Sequence, residues 1–208
     1  MSDVTQFGMV VIGDEILCGK RTDKHLPHVI DVLQARGMKV AWSRVVSDNR
    51  PRLVHELELS QLDAVPVLCF GGIGATPDDQ TRQAAAEAFG SRLVRHPDAA
   101  AMIEEQFGED AYPHRIRMAD LPEDCLLIPN PHNRIPGFIL YDHHFFPDFR
   151  PWPGLCWTGY WISIIRRSQR RKRRNRSGCF MRVSQTWFSL WLSYLPVLAV
   201  RSYSACRT

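Results

Sequence analysis

The stretch Cys69-Phe70-Gly71-Gly72-Ile73-Gly74-Ala75-Thr76-Pro77-Asp78-Asp79-Gln80-Thr81 decides the fold. The apolar run 64–70 reads as a buried strand. Residues 78–89 read as a helix, closed by Gly90. A strand, a glycine turn and a helix N-terminus aim backbone N–H groups and the positive end of a helix dipole at one point. An anion, most often a phosphate, fits there. Gly71, Gly72 and Gly74 permit positive φ and let a ligand approach the backbone. A plain tight βα turn accounts for the same glycines. Thr76, Asp78, Asp79 and Thr81 shift the reading toward a ligand. Adjacent carboxylates are poor phosphate ligands but good Mg²⁺ ligands, with the metal bridging to the phosphate.

Upstream, residues 7–12 form a short strand that ends at Gly13-Asp14-Glu15-Ile16-Leu17-Cys18-Gly19. Asp14 and Glu15 are either solvated loop acids or line the same cleft as Asp79. Both loops lie at the carboxyl ends of parallel strands, where open α/β sheets bind ligands. Thr22 or Asp23 caps a helix to about Arg36; Leu26, Val29, Ile30 and Leu33 have helical spacing, and Gly37 supplies the stop. A strand at 38–46 follows. Asp48 then stands either as the N-cap of a helix that runs to about Leu59, with Pro51 near its start, or as a cleft acid at a third strand end. A short strand at 92–94, a helix at 97–107, an irregular polar stretch at 108–123 and short strands at 125–128, 138–140 and 143–146 complete this part. The alternation of strand and helix over the first 107 residues predicts a parallel α/β sheet covered on both faces.

The 208 residues suffice for one domain with a real core. Charge is unevenly spread. All 22 acidic residues precede Arg150 and 12 of the 26 Lys and Arg lie at or after it. The first 149 residues therefore carry 14 − 22 = −8 and the remainder +12. Five of the six tryptophans also fall in that remainder, so the chain divides into two segments of different character, 1–149 and 150–208. The six cysteines show neither CxxC pairing nor metal-ligand spacing, and nothing in them points to a disulfide framework. The polar, acidic start Met1-Ser2-Asp3 is no signal peptide, so a cytoplasmic location is expected.

Three stretches together resemble a known family. They are Ile12-Gly13-Asp14-Glu15-Ile16-Leu17-Cys18-Gly19 with Asp23, then Val46-Ser47-Asp48, then Gly71-Gly72-Ile73-Gly74-Ala75-Thr76-Pro77-Asp78-Asp79-Gln80-Thr81. They look like the molybdopterin-binding domain shared by the MoaB/Mog and MoeA proteins of molybdenum cofactor synthesis and by the N-terminal half of CinA-type competence-damage-inducible proteins. Asn130-Pro131-His132-Asn133-Arg134-Ile135-Pro136-Gly137-Phe138 is similar to a segment of the CinA-like branch. The resemblance spans roughly residues 6–149.

It implies a three-layer α/β/α sandwich with a mainly parallel sheet, molybdopterin as bound ligand, and a Mg²⁺ ion. The pterin phosphate would sit on the turn at 71–74. Asp48 and Asp79 would correspond to the family's two key aspartates in adenylyl transfer and would be the metal ligands; Gly13, Asp14, Glu15, Thr76 and Asp78 would line the cleft. The implied function is pterin or nucleotide binding, or Mg²⁺-dependent phosphoanhydride chemistry, by adenylyl transfer or ADP-ribose-type pyrophosphate cleavage. Relatives suggest a homodimer or homotrimer. Two departures stand out: His25 replaces the usual Asn, and the family's final PGxP loop reads Pro147-Asp148-Phe149-Arg150.

From Arg150 the pattern stops. Back-translating residues 150–161 after one added cytosine spells PAMAWPMLDWVL, the kind of Pro-rich segment and amphipathic helix this family carries next. A lost base accounts for the acid-free Arg, Trp and Ser composition. The run 166–176, eight of eleven residues basic, binds polyanions whatever its origin, and no evolved nucleic-acid role is expected. The apolar run 187–200 is too short to span a bilayer.

Overall fold

A computed structural model of the chain describes residues 6–63, 65–128, 130 and 134–147. The expected basic tail and the proposed change of frame lie outside the described residues. The elements are β1 (Gln6–Ile12), α1 (Asp14–Leu17), α2 (His25–Gln34), β2 (Lys39–Val46), α3 (Arg50–Leu62), β3 (Val67–Phe70), α4 (Thr81–Ala88), β4 (Leu93–Arg95), α5 (Pro97–Phe107), β5 (Asp120–Pro122), β6 (Leu126–Ile128), β7 (Gly137–Leu140) and β8 (His143–Phe146).

Six strands form one sheet in the order β2-β1-β3-β8-β7-β6. The first four run parallel; β7 is antiparallel to both β8 and β6. β4 and β5 make a separate antiparallel pair. Strand β1 is buried along both faces from Phe7 to Ile12. Val10 and Ile12 share a core cluster with Leu53 and Leu57 of α3 and Ala84 and Ala85 of α4. Met9 and Val11 alternate to the opposite face, on which α2 packs with Val29 and Leu33 buried. Helices on both faces of a mainly parallel sheet give the expected three layers.

Four local readings change. Helix α4 begins at Thr81 rather than Asp78, because Asp79 turns back on Thr76: the Asp79 amide donates to the Thr76 carbonyl at 3.1 Å and the Thr76 amide to Asp79 Oδ2 at 2.8 Å. The cap of α3 is Asn49, whose side chain accepts from the Arg52 amide at 3.1 Å, so Asp48 is not an N-cap. The loop after β1 folds into the single turn α1, and the stretch 108–123, expected to be irregular, contributes β5. Asp23 does cap α2, accepting from the His25 amide at 2.8 Å and the Leu26 amide at 3.0 Å.

Candidate functional site at the carboxyl ends of the central strands

Strands β2, β1 and β3 lie side by side and parallel, so the segments that follow them leave the sheet at one end. The first two are tied together directly. The Asp14 amide donates to Asp48 Oδ2 at 2.9 Å, and the Asp48 amide donates to Asp14 Oδ1 at 3.3 Å. The Gly13 amide donates to the Val46 carbonyl at 3.0 Å, which sets this register. Each carboxylate therefore holds the other residue's backbone across 34 positions of sequence.

Four acids crowd there. Partial burial is the main cause that raises the Asp48 carboxyl above its ordinary pKa, and the charges of Asp14, Glu15 and Asp78 add to it, while the Asp14 N–H bond works against them. Asp78 stands on the exposed turn after β3. The structure thus brings Asp14, Glu15 and Asp78 within electrostatic reach of Asp48.

Asp79 has different company. Its Oδ2 accepts from the Thr76 amide and the Thr76 hydroxyl, its carboxylate lies against Gly74, and its charge acts on Arg82. Glu15 pairs with Arg21 at 3.5 Å. Among the described residues no group of three or more His, Cys, Asp or Glu side chains is placed to hold a metal ion.

The glycines of the turn have a packing role of their own. Gly71 and Gly72 have positive φ, at 102° and 67°. A Cβ on Gly71 would collide with the Ile12 carbonyl oxygen, and one on Gly72 with Thr81 Oγ1. The bare backbone at these two positions therefore lets β3 leave close to β1 and α4, whatever else the turn binds. The Thr81 amide is already taken by the Gly72 carbonyl at 3.0 Å, and Thr81 Oγ1 donates to the Gly71 carbonyl at 3.1 Å.

Past this turn lies a groove of about 300 Å³, bounded by Thr76, Gln80, Arg82, Gln83 and Arg117, with Ala75, Pro77 and Leu93 as apolar walls and Asp120 at its edge. The sequence reading missed it. Its only signal there is Arg82, next to Thr81 on the face of α4 that turns inward.

The fold defines an open α/β domain with carboxylate-bearing loops at the strand ends. A family model described as "Probable molybdopterin binding domain" matches residues 8–160, past the boundary expected at 149, and the chain belongs to that family. A CinA-like protein of Gloeobacter violaceus is 36% identical over 134 residues, 63% of this chain and 32% of its own length. One from Geotalea uraniireducens is 33% identical over 143 residues, 67% of this chain and 34% of its own. The chain therefore spans about a third of the length of these curated relatives. The crystal structure of the protein CinA "with unknown function" from Thermoplasma acidophilum superimposes with a TM-score of 0.66 at 25% identity, covering 82% of this chain and 99% of that one. No helix among the described residues is long and apolar enough to cross a membrane.

Proposed function

We propose that the chain binds a phosphate-bearing pterin or nucleotide, such as molybdopterin, at the carboxyl ends of β1, β2 and β3. The observation that carries this reading is the reciprocal Asp14–Asp48 link, with the charges of Glu15 and Asp78 also acting on Asp48. Such a cluster repels a bare phosphate. It suits a ligand that arrives with a divalent cation, and its donors are hard carboxylate oxygens. Mg²⁺ is commonly held by one or two carboxylates plus the phosphates of the substrate rather than by a protein cage. The residues present therefore fit the ion. Asp48 would hold it, with Asp14, Glu15 and Asp78 as the neighbouring acids; Asp79, the second ligand that the resemblance implies, would have to turn from Thr76 to join it. When bound, the ion would neutralise phosphate charge.

The chain's own groups do the rest. Asp14 and Asp48 fix the first two loops relative to each other. Thr76 holds the Asp79 carboxylate and with it the turn after Gly74. In a homodimer or homotrimer, expected by resemblance, each copy would carry its own cluster.

A second reading, cleavage or transfer at a phosphoanhydride, is favoured by one observation: Asp48 is a partly buried carboxyl with a raised pKa among other acids, which suits a group that takes up or releases a proton. Incubating the protein with Mg²⁺ and ADP-ribose, or with ATP plus molybdopterin, and following AMP separates the two. Tight binding in calorimetry without AMP release supports the binding reading, and AMP release abolished in Asp48→Asn supports the enzyme. Absence of binding to every one of these compounds overturns both.

A further inference from the structure

The anionic group of such a ligand has two candidate positions, and the side chains favour the less expected one. At the glycine turn the Cβ side of Gly71 and Gly72 is filled by the Ile12 carbonyl and Thr81 Oγ1, the Gly71 and Thr81 amides are engaged, and the neighbouring loops bring acids. In the groove beyond Thr76 the balance is opposite. Arg82 is 3% exposed and makes no ion pair among the described residues. Its guanidinium is held by backbone carbonyls alone: Gly74 at 2.7 Å, Asp120 at 3.4 Å, and Arg117. Its Nε is buried and lacks a hydrogen-bond partner, as does Gln83 Oε1 beside it. Arg117, exposed at the rim, makes no ion pair among the described residues either. The one carboxylate that lines the groove, Asp120, is occupied by Arg95 at 2.5 Å. The charges of Asp79 and Asp120 act on this guanidinium, but Asp79 is bonded to Thr76 and Asp120 to Arg95, and neither reaches the Arg82 Nε, so an anion entering the groove adds the compensation that direct pairing would give.

We propose that the ligand's anionic group, a phosphate or carboxylate, docks in this groove between residues 75–83 and Arg117 rather than on the turn at 71–74. This rests on the pterin or nucleotide reading for the identity of the ligand. Arg117 makes the direct charge-assisted contact, the Thr76 hydroxyl and Gln80 flank it, and Arg82 supplies the positive field from beneath. Thr76 then separates an acidic side, suited to a cation, from a basic groove suited to the anion.

The test uses the full chain, ¹⁵N-labelled, with inorganic phosphate as probe at constant ionic strength. The Nε–Hε signals of Arg82 and Arg117 are followed, with sodium chloride as the control. Saturable shifts of both are expected. Arg117→Ala should weaken phosphate binding about tenfold, the size of one lost charge-assisted hydrogen bond, and Arg117→Lys should restore part of it. Arg117 is exposed, so its loss should leave thermal unfolding unchanged, whereas Arg82→Lys is read only if it still unfolds cooperatively. The proposal is overturned if chloride produces the same shifts, if Arg117→Ala titrates like the parent, or if phosphate moves the amides at 71–74 instead. Repeating the titration with ADP-ribose keeps the two ideas apart. ADP-ribose binding that ignores Arg117→Ala sinks the groove and leaves the function standing. Phosphate binding in the groove with no affinity for ADP-ribose, AMP or molybdopterin sinks the function and leaves the groove.

Discussion

Asp14 and Asp48 each accept the other's backbone N–H, at 2.9 and 3.3 Å, and so lock the loops after β1 and β2 into one unit. The lock places two carboxylates where like charge and partial burial oppose ionisation of Asp48. A group whose pKa is raised by folding contributes stability below its unfolded value and loses it as pH rises through the folded value. At neutral pH the ionised Asp48 therefore works against the fold. Such unfavourable charge in a cleft marks a candidate functional site.

Asp48→Asn is the direct test. The amide oxygen can still accept the Asp14 N–H, so the lock persists without the charge. The variant should match or exceed the parent in melting temperature at pH 7. That advantage should shrink as pH falls toward the ordinary carboxylate value of 3.8, where the parent becomes protonated too. Mg²⁺-dependent ligand affinity should fall in the same variant. Thermal unfolding at several pH values, with calorimetry beside it, reads both; a variant that is less stable at pH 7 and unchanged at low pH contradicts the charge argument.

A second prediction concerns the far end of β8. His143 and Ser60 are buried, and Ser60 Oγ donates to the Leu57 carbonyl at 2.7 Å. With that proton spent, Ser60 Oγ accepts from His143 Nε2–H, also at 2.7 Å, which fixes the tautomer. Ser60→Ala strips the imidazole N–H of this acceptor and should cost about 1–3 kcal/mol in chemical denaturation. Adding His143→Phe removes the donor as well and should recover part of the loss, because apolar groups on both sides of a lost bond are tolerated better than one orphan. If the double variant is worse than the sum of the singles, the pair is not coupled in this way.

The parts of the fold legible in the sequence were those with long-range consistency. Buried strands such as 67–70 announce themselves as apolar runs, and α5 was read at its observed bounds because Pro97 starts it and Gly108 stops it. What escaped were contacts that depend on the third dimension. Asp48 next to Pro51 reads as a cap from sequence alone; only the folded chain shows that Asn49 does the capping and that Asp48 bonds to Asp14. The helical pattern starts three residues before α4 does, because the Thr76–Asp79 turn competes with the first helical turn through a side-chain acceptor. The groove is invisible in one dimension because its basic groups come from α4 and from residue 117, with the β4–β5 pair along its edge.

Gly8 offers a third prediction. It sits opposite Trp42 in the β1–β2 register, at an irregularity between Phe7 and Gly8, and a Cβ there would run into the indole ring. Arg44 covers that ring from 4.2 Å. Gly8→Ala should therefore destabilise by about 1–3 kcal/mol, as overpacking does. In a Trp42→Ala background the clash is gone, and Gly8→Ala should be close to neutral. The non-additivity, measured by circular dichroism melts of the four proteins, is the signature; equal costs in both backgrounds would place the strain elsewhere.

The last prediction turns on Gly72. If its role were to let a ligand reach the backbone, a side chain there would block binding and leave the fold intact. The geometry argues otherwise. Gly72 has φ of 67°, where side chains are strained, and its missing Cβ would meet Thr81 Oγ1, which itself donates to the Gly71 carbonyl at 3.1 Å. Gly72→Ala should thus damage the junction of β3 and α4 before any ligand is present. The expected loss is about 1–3 kcal/mol of stability from the clash, with the left-handed backbone adding to it. Thr81→Ala in the same chain removes the obstructing oxygen and should return part of the loss but not the backbone strain. Gly71→Ala should behave alike, since its Cβ meets the Ile12 carbonyl, and there no side-chain change can relieve it. Unfolding curves of the three variants without ligand decide the matter. A Gly72→Ala protein as stable as the parent but unable to bind phosphate compounds would return the anion to the glycine turn.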